Sequence, residues 1–139
     1  MPGCVLRLSG PHAELAEAVG GAFLRFAESG ATARAGKSGQ ATRPSNSTFN
    51  YTVSDADGCH VPQQIKDAEA FVSAHLAQLA DLRSRPGVES GVLDFGWEIP
   101  VDAISQFNRF PASFLAGCAA ARLDIEVSVY LDGRPVCGQ

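Results

Sequence analysis

Gly91-Val-Leu-Asp-Phe-Gly-Trp-Glu-Ile99 is the stretch on which the fold turns. In an extended chain Leu93, Phe95, Trp97 and Ile99 fall on one side and Asp94, Gly96 and Glu98 on the other, and Pro100 ends the run. Such alternation marks a strand with one buried and one solvated face. Strands covered on both faces read instead as unbroken apolar runs. Three other segments repeat the pattern. Cys4, Leu6 and Leu8 alternate with Val5, Arg7 and Ser9. Phe49, Tyr51 and Val53 alternate with Thr48, Asn50, Thr52 and Ser54. Leu123, Ile125, Val127 and Val129 alternate with Asp124, Glu126, Ser128 and Tyr130.

Between the strands the apolar period lengthens. From His12 to Glu28, Leu15, Val19, Ala22, Phe23 and Phe26 recur at helical spacing, across Gly20 and Gly21. From Pro62 to Arg85, Ile65, Ala68, Val72, His75 or Leu76, Leu79 and Leu82 form one stripe, stopped by Pro86-Gly87. Phe110-Pro111 opens a shorter helix with Phe114, Leu115, Cys118 and Ala119 as its apolar face. Residues 30–47 carry no periodic apolar pattern and read as a long flexible loop with room for a short strand. The expectation is a single α+β domain over residues 1–139. It is a two-layer α/β sandwich: a mainly antiparallel or mixed sheet of about four or five strands, with three helices on one face, a description that includes ferredoxin-like variants.

The chain has 139 residues and a formal net charge of −4, with 45% hydrophobic residues. That length suits one domain with a sufficient core, and the apolar content excludes a disordered chain. No apolar run reaches the length of a membrane span. Net acidity argues against nucleic acid as partner. Arg34, Lys37 and Arg43 form the one basic stretch, inside the loop. Cys4, Cys59, Cys118 and Cys137 are widely spaced, which does not suit a zinc site. The start Met-Pro-Gly-Cys lacks the basic and apolar regions of a secretory leader, so a cytoplasmic protein with reduced thiols is expected.

Motifs with chemical content are few. Ala31-Thr-Ala-Arg-Ala-Gly-Lys37-Ser38 approximates a phosphate-binding loop, but a helix precedes it and Pro44 prevents one from following. Asp55-Ala-Asp57-Gly58-Cys59-His60 gathers potential ligands in one turn, yet lacks the later Glu of a calcium loop. His12, His60 and His75 stand near no nucleophile elbow or zinc-binding helix motif. The outward sides of two strands are more telling: Asp94, Glu98, Asp124 and Glu126 share one face if those strands are neighbours. Paired carboxylates also serve glycosidases, but an open sheet offers no water-excluding pocket.

The run Ile65 to Leu79, the strand Val92-Leu-Asp-Phe-Gly-Trp97, and Phe110-Pro-Ala-Ser-Phe-Leu115 leading to Leu123-Asp-Ile-Glu-Val-Ser-Val-Tyr130 resemble a family of small bacterial proteins known as domain of unknown function 4279. The resemblance spans about residues 48–131. It implies a long helix, a strand, a short helix and a final strand, and no activity or cofactor. By analogy, small domains of this kind resemble toxin-neutralising immunity proteins. The function expected is thus a non-enzymatic binding module, with Asp94, Glu98, Asp124 and Glu126 engaging a basic protein. No metal, cofactor or catalytic residue is assigned. The alternative is a small ligand binder or enzyme whose cleft lies under residues 30–47 beside Asp55, Asp57 and His60. An exposed strand edge also leaves room for a homodimer.

Overall fold

The structure is a computed structural model and describes residues 3–28, 32–36 and 46–132. Strands β1 (Gly3–Pro11), β2 (Thr32–Gly36), β3 (Asn46–Ser54), β4 (Ser90–Pro100) and β5 (Asp124–Asp132) form one sheet in the order β2-β3-β1-β4-β5. β1 runs antiparallel to both β3 and β4, β2 runs antiparallel to β3, and β5 is parallel to β4. Helices α1 (His12–Glu28), α2 (Val61–Ala74), α3 (Leu76–Arg83) and α4 (Ala112–Ala120) lie between them in sequence. Up to β4 this is the βαββαβ order of ferredoxin-like folds, and α4–β5 adds a parallel strand at one edge.

The alternation read in the strands is realised as burial. Cys4, Leu6, Leu8, Tyr51, Leu93 and Phe95 are completely buried and join one core with residues of all four helices. Val5, Arg7, Ser9, Asn50, Thr52, Val92 and Asp94, pointing the other way, are half-buried and outside that core. Among the described residues, therefore, no helix covers the second face. Phe110 and Phe114 seat the α4 segment on β4: the Phe110 ring centroid lies 5.2 Å from Phe95 and 5.9 Å from Trp97. On α4 only Phe114 and Cys118 are buried; Leu115 and Ala119, expected in its apolar stripe, are exposed. The short helix has room to bury one residue per turn against the sheet.

One expectation is corrected. The long helix from Pro62 is two helices, so the layer holds four rather than three. The break is at His75, where the backbone takes φ −120° and ψ 21°. The His75 N–H still reaches the Phe71 carbonyl at 3.0 Å and its carbonyl accepts from Leu79 at 2.8 Å, so the axis kinks without separating. His75 is buried there with its ring 4.9 Å from that of Phe71, whereas Leu76 is exposed. The short strand for which residues 30–47 left room is β2, at residues 32–36, pairing Thr32 with Thr52 and Gly36 with Thr48. Thr-Ala-Arg-Ala-Gly has no large apolar side chain to announce a strand. Residues 37–45, with Lys37 and Arg43, lie outside the described residues, as do the side chains of Phe23 and Phe26.

The connection from α4 into β5 has a specific cap. Arg122 takes φ 60°, its N–H bonds the Ala119 carbonyl at 3.1 Å, and the Leu123 N–H bonds the Cys118 carbonyl at 2.9 Å. These two bonds constitute a Schellman motif, in which the left-handed position is usually glycine. The Arg122 carbonyl also accepts from Arg83 Nε at 2.9 Å, tying α3 to the start of β5. No helix among the described residues is long and apolar enough to cross a membrane.

Candidate interaction surface

Parallel pairing of β4 and β5 sets Asp94 beside Glu126, Val92 beside Asp124 and Glu98 beside Tyr130. The four carboxylates of the expected acidic patch therefore share the uncovered face, but they are not equivalent. Across β1, Arg7 stands opposite Val92, one step diagonally from Asp94. Its Nη2 donates to Asp94 Oδ2 at 2.8 Å, and Ser128 Oγ donates to Asp94 Oδ1 at 2.8 Å. With 14% of its side chain exposed, Asp94 is held by its own sheet. Asp124 and Glu126, on the edge strand, are exposed.

Glu98 is half-buried where β4 runs past the start of β1. The turn after β3 lies alongside it, and the Glu98 N–H donates to the Gly58 carbonyl at 3.0 Å. Ligand atoms of Asp57, Cys59 and Glu98 lie within 4.8 Å of one another, while Asp55 and His60, both exposed, are not part of this group. Of the expected ligand-binding residues Asp55, Asp57 and His60, Asp57 alone joins this group, with Glu98 contributed by β4. Cys59 is disulfide-bonded, so it has no thiolate to offer a metal. This corrects the expectation of uniformly reduced thiols. Disulfide pairing depends on proximity in space, which sequence spacing does not reveal.

Cys4 and Cys118 are free and buried, as expected of small core residues. Burial pushes the Cys118 thiol up to about 11. Cys4 is raised further by burial, with Asp94, Cys118 and Asp67 adding to the effect. Neither is a nucleophile at neutral pH.

Sequence reasoning missed two arrangements. Gln64, completely buried on α2, donates through Nε2 to the carbonyls of Ala56, Asp57 and Gly96 at 3.0, 3.2 and 3.0 Å. It fastens the Asp55–His60 turn to the sheet, and only its polar character within an apolar stripe could have signalled that. His12 Nδ1 also shares a hydrogen bond with Ser47 Oγ. His12 is exposed and Ser47 half-buried, and among the described residues no carboxylate hydrogen-bonds the pair as the third member of a hydrolytic triad would. A groove formed by Glu14, Glu17, Ala18, Arg85, Pro86 and Gly87 lies apart from every candidate residue. Comparison with protein-family models, with curated proteins and with solved structures returns no match. The surface is accordingly read from its own geometry.

Proposed function

We propose that the chain is a non-enzymatic protein-binding module whose uncovered sheet face engages a basic partner, in the manner of a small immunity protein. One observation carries this reading: Arg7 and Ser128 satisfy Asp94, leaving the surplus negative charge on exposed Asp124 and Glu126, with half-buried Glu98 nearby. Carboxylates at the rim of an open sheet steer and select a cationic surface without needing a cleft. Cytoplasmic residence, expected from reduced thiols, fits poorly with the disulfide at Cys59, because disulfides persist mainly in oxidising compartments.

The test is binding of a fluorescent decalysine peptide at low ionic strength. The native protein should bind it, and the Asp124→Asn/Glu126→Gln double variant should bind several-fold more weakly. Asp94→Asn, which leaves the Arg7 charge unbalanced, should weaken binding by about two- to threefold, less than the double variant. Equal affinity of the native protein for decaglutamate, or no loss in the double variant, would refute the assignment.

A further inference from the structure

The exposed carboxylates lie on β5, which among the described residues is an edge strand. Among the described residues β5 pairs only with β4, so the backbone N–H and C=O groups along its outer edge have no sheet partner. Edges of this kind are commonly blunted by lysine, proline or a bulge. β5, Asp-Ile-Glu-Val-Ser-Val-Tyr-Leu-Asp, contains neither lysine nor proline, and its register with β4 runs without a bulge. On the helix side Ile125 and Val127 pack against the core, whereas Val129 and Leu131 continue that row into solvent, Leu131 with 81% of its surface exposed. The segment after β4 leaves the sheet at Pro100, which is in register with Asp132, and carries Ile104 and Phe107 essentially fully exposed. Val129, Tyr130 and Leu131, all exposed, thus lie together on the edge strand. Concentrations of that sort mark interaction sites.

We propose that the outer edge of β5 takes an extended segment of a partner protein in which basic side chains alternate with apolar ones, adding a sixth strand to the sheet. This rests on the acidic-face reading and supplies its mode of engagement. The added strand makes main-chain bonds to the edge, and its alternate side chains are sorted by the two faces. Basic side chains lie over Asp124 and Glu126. Apolar ones meet Val127, Val129 and Leu131. A second copy of the chain suits the edge poorly. β5 has no basic residue, so self-pairing brings carboxylates of both copies onto one face; centred on Ser128, it sets Asp124 opposite Asp132.

The experiment uses a fluorescent decapeptide of alternating Lys and Val and two N-methylated isomers, one methylated at every Lys amide and one at every Val amide. Successive N–H groups of a strand point to opposite edges, so each isomer blocks one edge only. The expected result is that the parent and one isomer bind equally, while the other isomer binds at least about tenfold more weakly. Glu126→Lys should weaken the parent peptide by a similar factor and Glu126→Gln by less. If both isomers match the parent while Glu126→Lys still weakens binding, the edge mode is overturned and the acidic-face reading stands. If none of the three peptides binds, both fail. Doubling of the native protein's mass in light scattering, abolished by Glu126→Lys, would assign the edge to a second copy and overturn the proposal.

Discussion

Replacing Gln64 by Glu exchanges one buried NH2 for an oxygen at nearly constant shape. The Gln64 Nε2 faces three carbonyl oxygens, and its Oε1 has no hydrogen-bond partner. An ionised carboxylate in that position would meet only acceptors, in a site without solvent exposure. The folded protein therefore keeps the new carboxyl protonated, raising its pKa above the roughly 4.3 of an ordinary glutamate. A group with a raised folded pKa contributes fully below the unfolded value and loses its contribution as pH climbs toward the folded value. Holding the proton at pH 7 costs up to about 3.7 kcal/mol, at about 1.36 kcal/mol per unit. Loss of one donor adds about 1 kcal/mol at any pH. Gln64→Glu is therefore expected to lose about 4–5 kcal/mol at pH 7 and only about 1–2 kcal/mol near pH 4. Gln64→Leu, which never ionises, should lose about 2–3 kcal/mol at both. Urea unfolding of the three proteins at the two pH values measures these differences. Equal deficits for Gln64→Glu at pH 4 and pH 7 would refute the convergence of carbonyls on this side chain.

Arg122→Gly should raise stability by about 0.5–1 kcal/mol in thermal unfolding, because glycine relieves the left-handed strain at φ 60°; Arg122→Val should lower it by at least as much. Gly10→Ala should destabilise by about 1–3 kcal/mol, because its Cβ would run into the Gly87 carbonyl. Cys4 and Cys118 should resist maleimide at pH 8 until denaturant is added, while peptide mapping without reductant should find Cys59 in a cross-linked peptide. Because burial raises both free thiols, stability should decline above about pH 9, where unfolded cysteines ionise first. The slope is at most about 1.4 kcal/mol per pH unit for each thiol, and Cys118→Ala should flatten it.

What could be read from residue order was whatever a local period determines. The four alternating strands and the inward rows Cys4-Leu6-Leu8 and Leu93-Phe95 follow from a repeat of two. β2 has no such repeat, because Thr-Ala-Arg-Ala-Gly contains no large apolar residue to alternate with polar ones. The kink at His75 was equally illegible, since the apolar stripe passes through it unbroken and only the backbone angles register it. The acidic face was legible as a list of residues but not as charges. Arg7 is 87 positions from Asp94, and only strand order brings them together. The cluster at Asp57 shows the same limit: its neighbour is Glu98, contributed by another strand, rather than Asp55 or His60 on its own turn.

Strand order also decides where the acidity can act. Had β5 been a central strand, Asp124 and Glu126 would have been flanked on both sides, and their charge would have required partners such as those Asp94 has. β1 occupies that central place and supplies Arg7, which anchors Asp94 and brings in Ser128 from β5. The carboxylate nearer the middle of the sheet is thereby compensated, while among the described residues those on the edge strand form no ion pair and lie beside backbone without a sheet partner. A mutation removing Arg7 should reverse this distribution. Arg7→Met keeps the aliphatic bulk over the sheet and leaves Asp94 anchored by Ser128 alone. If the face recruits cations by charge, Arg7→Met should bind decalysine more tightly than the native protein, by about two- to threefold at low salt, with the gain vanishing near 0.5 M salt. Weaker binding by Arg7→Met at unchanged stability would mean that Arg7 itself contacts the partner, and the charge-based account of the surface would have to be abandoned.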